Sequence, residues 1–402
     1  MAGCGTGPGA PGPTHSKGAT GPAGATPAVY EGHLQRLHPG SVGPANLAAA
    51  DQAFGLRLLH DVCATDPMKN TVLSPASATQ ALGMLQTGAL GSTRTALSRL
   101  LHQSAYGPAV IAAQHSRTTQ LRKIAGLSTS DRLFTQSGIT PRQGTLNDLR
   151  TAYDVQLLGL DFAGQPKAST DAINHLVSND THGLIPQLFD QALDTSTVTV
   201  MTNAIYLKAQ WQHPLQTPIP GVFTLADGKR VMVPTLKSTD AQAASASAGG
   251  WQSVQLPYVH DQLTAYALLP PASAKACAVP NTVTMATLLH PDANKVATVA
   301  MPKFHLSQTN ELLKVLTSQG LQPNGDYAGF SPGAHVSDVV QKVDISVDEF
   351  GTTAAAATGG AMAMSARGSD IHVNLNRPFL FLVTDTATHT PLFLTRVADP
   401  RG

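Results

Sequence analysis

Residues Val347 to Thr358 read VDEFGTTAAAAT. After Phe350 every side chain in this stretch is small and uncharged. An exposed loop has no reason to avoid charge, and a stable helix usually carries some. The composition fits a segment that must enter a crowded β-sheet. Strand residues alternate faces. If Thr352 faces inward, then so do Ala354, Ala356, Thr358 and Gly360, and none is large or charged. A Lys or Glu at those positions would be buried without a partner, at a cost of several kcal/mol. Gly351 suits a hinge whose φ/ψ must change. About fourteen residues at roughly 3.3 Å each would carry such a segment about 45 Å.

Working outward, the chain has 402 residues, 42% of them hydrophobic, enough for a large core. A net charge of +1 gives no electrostatic footprint for nucleic acid. Arg117, Arg122 and Lys123 read as a solvated helix face, with a polyanion-binding patch as the alternative. Cys4, Cys63 and Cys277 are too few for a disulfide framework, and Cys63 and Cys277 read as small core residues. No apolar run is long enough for a membrane span. Residues 1–44 form a Gly/Pro/Ala/Thr-rich tail expected to be disordered, with folding expected from 45 to 402. The tail lacks the basic start and apolar run of a secretory signal. Cys4 follows Met-Ala-Gly, which resembles the end of a bacterial lipoprotein cleavage site, and would be a lipidated terminus if the true start lay upstream.

Asn46 is the expected N-cap of a first helix carrying Leu47, Phe54, Leu58 and Leu59. Val72-Leu73 reads as a short buried strand. Ser74 then caps a helix opened by Pro75, and another helix runs from Gly91 to near Leu101. Strands are expected at 128–136, 155–160 and 197–207, and helices at 141–153 and 168–180. Further strands are expected at 264–269, 295–302, 339–348, 379–384 and 392–397. Helices crowd the first half and strands the second, so the fold class is α+β.

Several segments together resemble the serpin family, in the family's order. They are Asn70–Leu100 with Ser-Pro-x-Ser, Asn174–Ile185 with Thr-x-Gly-x-Ile, and TVMTNAIYLKAQW at Thr199–Trp211. Val336–Thr358 runs into the hinge, VNLNRPFLFLV stands at Val373–Val383, and Pro391–Pro400 continues that signature. The chain is identified as a member, with a bacterial source expected. The resemblance implies three β-sheets, eight or nine helices and an exposed reactive-centre loop at about 350–370. It implies an irreversible suicide-substrate inhibitor of a serine protease that needs no cofactor or metal and catalyses nothing itself. It also implies a monomer with an extracellular or cell-surface location and no nucleic-acid or membrane-spanning role. The alternative is a non-inhibitory serpin used for binding or scaffolding.

By the family's spacing the scissile bond falls at Ser365-Ala366, with Met364-Ser365 and Arg367-Gly368 as competitors. Cleavage after Met364 or Ser365 suits an elastase-, chymotrypsin- or subtilisin-like protease, and cleavage after Arg367 a trypsin-like one. The hinge residues would be Glu349, Gly351, Thr352, Ala354, Ala356 and Thr358. Ser74, Ser77, Asn203 and Gln341 fall where polar groups bond beneath the opening sheet, and Trp211 where it first opens. Gln341 stands in place of the family's usual His, which removes a pH-dependent charge there. Other departures are Phe350 for a charged residue, Asp344 in an apolar strand, Leu176 for Trp, and Gly359-Gly360 in a segment meant to become a strand.

One motif misleads. Gly329-Phe330-Ser331-Pro332-Gly333 fits a nucleophile elbow, but the residue after the Ser must donate its amide to an oxyanion, and Pro332 has none. No metal-ligand spacing or phosphate-cradling glycine loop is present.

Overall fold

Ser74-Pro75 opens a helix as its sequence demands. The Ser74 hydroxyl accepts the Ser77 amide at 3.3 Å, and Pro75 fills the first turn, where no N–H is needed. The computed structural model describes residues 25–37, 40, 42–239, 243–352 and 371–402. Among them are eight α-helices: α1 Pro44–Thr65, α2 Pro75–Gly88, α3 Gly91–Leu100, α4 Pro108–Leu121, α5 Gln143–Tyr153, α6 Pro166–Asp180, α7 Thr282–Leu289 and α8 Leu313–Ser318. The strands are β1 Ala28–Tyr30, β2 Thr71–Leu73, β3 Leu127–Gln136, β4 Leu157–Leu160, β5 Thr199–Leu207, β6 Ala209–Gln210, β7 Ile219–Thr224, β8 Arg230–Lys237 and β9 Ala243–Ala248. They continue as β10 Trp251–Pro257, β11 Leu263–Leu269, β12 Asp292–Pro302, β13 Phe304–Glu311, β14 Asp338–Val347, β15 Gly351–Thr352, β16 His372–Asn374, β17 Phe379–Asp385 and β18 Pro391–Val397.

The strands form one sheet of order β1-β4-β3-β5-β14-β15-β6, with β13 on the other edge of β14, and a second of order β2-β18-β17-β11-β10-β9-β12-β8-β7. Where three sheets are expected, two are continuous. Strand β12 pairs with β9 through its first half and with β8 and β16 through its second, which joins the would-be third sheet to the second. Helix α2 is buried along its whole length and packs against β3 and β5 on one side and β18 on the other. The main core lies there, around Leu82, Met84, Leu85, Leu133 and Met201. Helix α6 covers part of the first sheet's outer face, with Ile173 and Val177 against Phe134 and Val200.

Four expectations need correction. Residues 1–44 are not all tail: β1 pairs antiparallel with β4, Ala28 against Gly159. A side chain at Gly159 would meet the Tyr30 ring at 2.9 Å, so the glycine makes room for this strand. Asn46 is not the N-cap. It lies three residues inside α1, and its side chain accepts the Gly43 amide at 3.0 Å. Arg117 does not face solvent. It is 1% exposed and paired at 2.6 Å with the equally buried Asp51, because α4 turns that face toward α1. Cys63 and Cys277 are buried as expected but bonded to each other, their Cα atoms 5.6 Å apart across 214 residues of sequence. Cysteine count alone gives no access to a pairing over that separation.

Candidate functional site

Within the first sheet, β5 and β14 run parallel, from Asp338 opposite Val200 to Asp344 opposite Tyr206. Their outer neighbours β3 and β13 are antiparallel to them. A new strand running down between β5 and β14 would replace one parallel pairing with two antiparallel ones, and antiparallel pairing is slightly the more stable per residue.

The chain leaving β14 already makes that move. It turns at Asp348, whose carboxylate accepts the amides of Phe350 and Gly351 at 2.8 and 3.1 Å. Strand β15 then runs back antiparallel, Thr352 opposite Val347. On its other edge Gly351 faces Gln210 and Thr352 faces Ala209, both in β6, which prolongs β5. Only glycine fits here, since a Cβ on Gly351 would lie 2.0 Å from the Ala209 carbonyl oxygen. Thr352 is fully buried, and its hydroxyl meets that of Tyr258 at 2.5 Å. The Tyr258 ring stacks on Trp211 with centroids 4.4 Å apart. Trp211 ties down the turn twice, its ring N–H donating to the Asp348 carbonyl at 2.9 Å and its amide to the Phe350 carbonyl at 2.8 Å. The Leu215 amide takes the Glu349 carbonyl at 2.9 Å, and Lys303 pairs with the Glu349 carboxylate at 3.0 Å. Burial pushes the Glu349 carboxyl up, but its own backbone amide and the Lys303 ammonium outweigh this and hold it below the ordinary glutamate value.

Lower down, the seam is shut by side chains. Asp131 of β3 stands opposite Asn203 of β5, which stands opposite Gln341 of β14, so the three share one row. The Gln341 amide donates to the Asn203 carbonyl oxygen at 2.9 Å and to the Ser74 carbonyl at 3.0 Å, while accepting the Ser74 amide at 3.0 Å. Asn203 in turn donates to one Asp131 oxygen, and Gln80 of α2 donates to the other at 3.0 Å. Ser77 does not join the row. Its amide caps onto Ser74, and it lines a polar cleft of about 250 Å³ beside Asp131. Asp344 is explained by alternation. Val343, Ile345 and Val347 point inward, while Asp344 points outward to His305 at 3.2 Å.

The structure thus gathers Glu349, Gly351, Thr352 and Trp211 at the top of the seam, and Ser74, Asn203 and Gln341 at its middle. Ala354, Ala356, Thr358, Met364, Ser365, Ala366 and Arg367 lie outside the described residues. Sequence reasoning missed Asp131, Gln80, Tyr258 and Lys303. Asp131 left a signal, an acid in β3 on the same face as the buried Leu133. Among the described residues Ser331 forms no catalytic set, since its hydroxyl reaches only the Pro332 carbonyl at 3.5 Å.

Residues 49–400 match the family described as Serpin (serine protease inhibitor). The chain belongs to the serpin family. Serpin B11 of Homo sapiens is 28% identical over 88% of this chain and 100% of its own length. Corticosteroid-binding globulin of Oryctolagus cuniculus is 28% identical over 89% of this chain and 96% of its own. Mouse protein-Z dependent protease inhibitor superposes with a TM-score of 0.77 at 22% identity, over 89% of this serpin and 98% of that structure. These relatives are animal proteins and lend no support to a bacterial source. One is named as a protease inhibitor and one as a corticosteroid-binding globulin, so family membership alone leaves the activity of this serpin open. No helix among the described residues is long and apolar enough to cross a membrane.

Proposed function

We propose that this serpin is an irreversible suicide-substrate inhibitor of a serine protease. The observation that carries the reading is β15, held by hydrogen bonds between β14 and β6 as the first two residues of an additional strand. The residues that follow, TAAAATGG at 353–360, are small and uncharged. In this reading the protease's nucleophile attacks the carbonyl of Ser365, the amine of Ala366 leaves, and the acyl-enzyme remains on the loop. Met364 and Arg367 are the competing acyl positions. The freed loop then continues the path of β15 between β5 and β14, carrying the attached protease with it. An elastase-, chymotrypsin- or subtilisin-like target fits Ser365 or Met364, and a trypsin-like one fits Arg367. The protein acts as a monomer. The Cys63–Cys277 bond supports an oxidising, exported location, extracellular or at the cell surface.

The test is incubation with a panel of serine proteases. Inhibition yields a complex that survives SDS and a large rise in melting temperature of the cleaved form. Cleavage without either overturns the reading.

A second reading, a non-inhibitory carrier, has one observation in its favour. A cleft of about 220 Å³ is lined by Trp251, Pro271, Phe379, Arg377 and Arg396, with no carboxylate among its lining residues. The Arg377 Nη1 has no partner among the described residues, which fits an organic anion. Equilibrium dialysis with amphipathic carboxylates, beside the protease panel, separates the two readings.

A further inference from the structure

Asp131 is a carboxylate set into the inner face of the first sheet, and no cation among the described residues is bonded to it. Among the described residues its two oxygens accept only amide N–H groups, from Asn203 and Gln80. The charged groups around it are committed elsewhere: Arg117 of α4 to Asp51 of α1, Arg122 after α4 to Asp154, and Asp180 of α6 to Arg132 of β3. Tyr153 of α5, Asp180 and His182 complete the titratable groups facing the cleft that Asp131 lines. That cleft leaves part of the carboxylate accessible to small molecules of solvent, although the sheet and α2 enclose it.

The bonds run in one direction. Gln341 donates across the seam to Asn203, and Asn203 donates across the next strand pair to Asp131. Asp131 therefore fixes which way the Asn203 amide points, and so presents the Asn203 carbonyl to Gln341. Of the sheet-row side chains beneath the seam, Asp131 is the one that ionises.

We propose that Asp131 is a positioning residue for sheet opening: through Asn203 it holds Gln341 across the seam, and its charge state sets how fast β5 and β14 part. The proposal rests on the insertion reading above and adds to it a pH dependence that Gln341, lacking a titratable group, cannot supply. Two effects of ionisation oppose each other. A charged Asp131 strengthens the Asn203 bond. It is also poorly hydrated while the sheet is shut. Burial is the larger influence and raises the carboxyl to about 6, against the Asn203 bond and the fields of Arg117 and Arg122, while Asp180 adds to the rise.

The sign follows from linkage. The closed sheet binds the Asp131 proton more tightly than an opened sheet, in which water reaches the carboxylate. Opening therefore releases protons and becomes easier as pH rises through about 6. The same raised value means that Asp131 favours the closed fold below that pH and that this contribution is lost above it. One unit of difference corresponds to about tenfold in the opening equilibrium, so insertion should be about three- to tenfold slower at pH 5 than at pH 7.5.

The experiment uses a capped synthetic peptide of residues 352–365, which has no ionisable side chain. Its annealing to the intact protein is followed by native mass spectrometry between pH 4.5 and 8. The wild type should anneal faster as pH rises, and Asp131→Asn should give a flat profile. Asp131→Glu should restore a slope, and His182→Gln should leave the wild-type profile unchanged. A flat wild-type profile, or a slope that survives in a folded Asp131→Asn, overturns the proposal and leaves the insertion reading standing. So does a slope that disappears in His182→Gln. If Asp131→Asn fails to fold, the wild-type and Asp131→Glu profiles decide. Absence of annealing at every pH overturns both the proposal and the insertion reading.

Discussion

The top and the middle of the β5–β14 seam are built from different materials. At the top, the turn at Asp348 and the stacked Trp211 and Tyr258 hold β15 in place by backbone hydrogen bonds, with a glycine where no side chain fits. In the middle, β5 and β14 touch directly and side-chain amides lock the row. An added strand is therefore already begun at one end and blocked farther down. In the proposed insertion, the barrier to lengthening it would lie in the polar row rather than at the hinge.

The largest expected effect tests the top. Thr352→Arg would put a guanidinium where the threonine is fully buried against Tyr258, at a cost of several kcal/mol. Protease should then cleave the loop and depart, with SDS-stable complex reduced by about tenfold or more. Unchanged complex formation would mean that Thr352 leaves its burial site before insertion begins.

Next in size is a control remote from both regions. Replacing Cys63 and Cys277 by Ser opens a loop of 214 residues and should lower stability by about 2–5 kcal/mol in urea unfolding. The pH profile of peptide annealing should not change. If it does, the barrier is not confined to the polar row.

Gln341→Ala strikes the middle. It removes three hydrogen bonds and leaves the Ser74 amide and the Asn203 side-chain carbonyl oxygen unsatisfied, a loss of about 1–3 kcal/mol. Peptide annealing should become faster. Slower or equal annealing would place the barrier at the top instead. The smallest change is Tyr258→Phe, which deletes the hydroxyl on Thr352 and keeps the ring on Trp211. It should cost about 1 kcal/mol and speed hydrogen exchange at the Thr352 amide without altering annealing at the middle.

Much of this was legible beforehand. Pro75 after Ser74, the β-branched apolar run of β5 and the NRPFLF strand name their own elements, because helix caps and buried strands are local features. The unread parts are those with weak local signals. β1 has three residues, too few for a period, and its reason to exist is Gly159 in another strand. Arg117 looked solvated because a single sequence does not show Asp51 across a helix interface. Gln341 is an amide and cannot titrate. Its row nevertheless contains an acid, and only strand register brings Asp131 level with Asn203.

Strand β2 lies beside β18, Leu73 against Leu394. A ribosome releases the first of these long before the second exists. Until the last strands emerge, β2 has no partner on that edge and α2 has no β18 to pack on, so the body closes only near the end of synthesis. The hinge leaves the ribosome earlier than β17 and β18, while the second sheet is still incomplete. If the sheet has the second, inserted arrangement proposed above, which of the two it adopts is a matter of arrival order: β5 and β14 can meet before any cut frees the segment that would separate them.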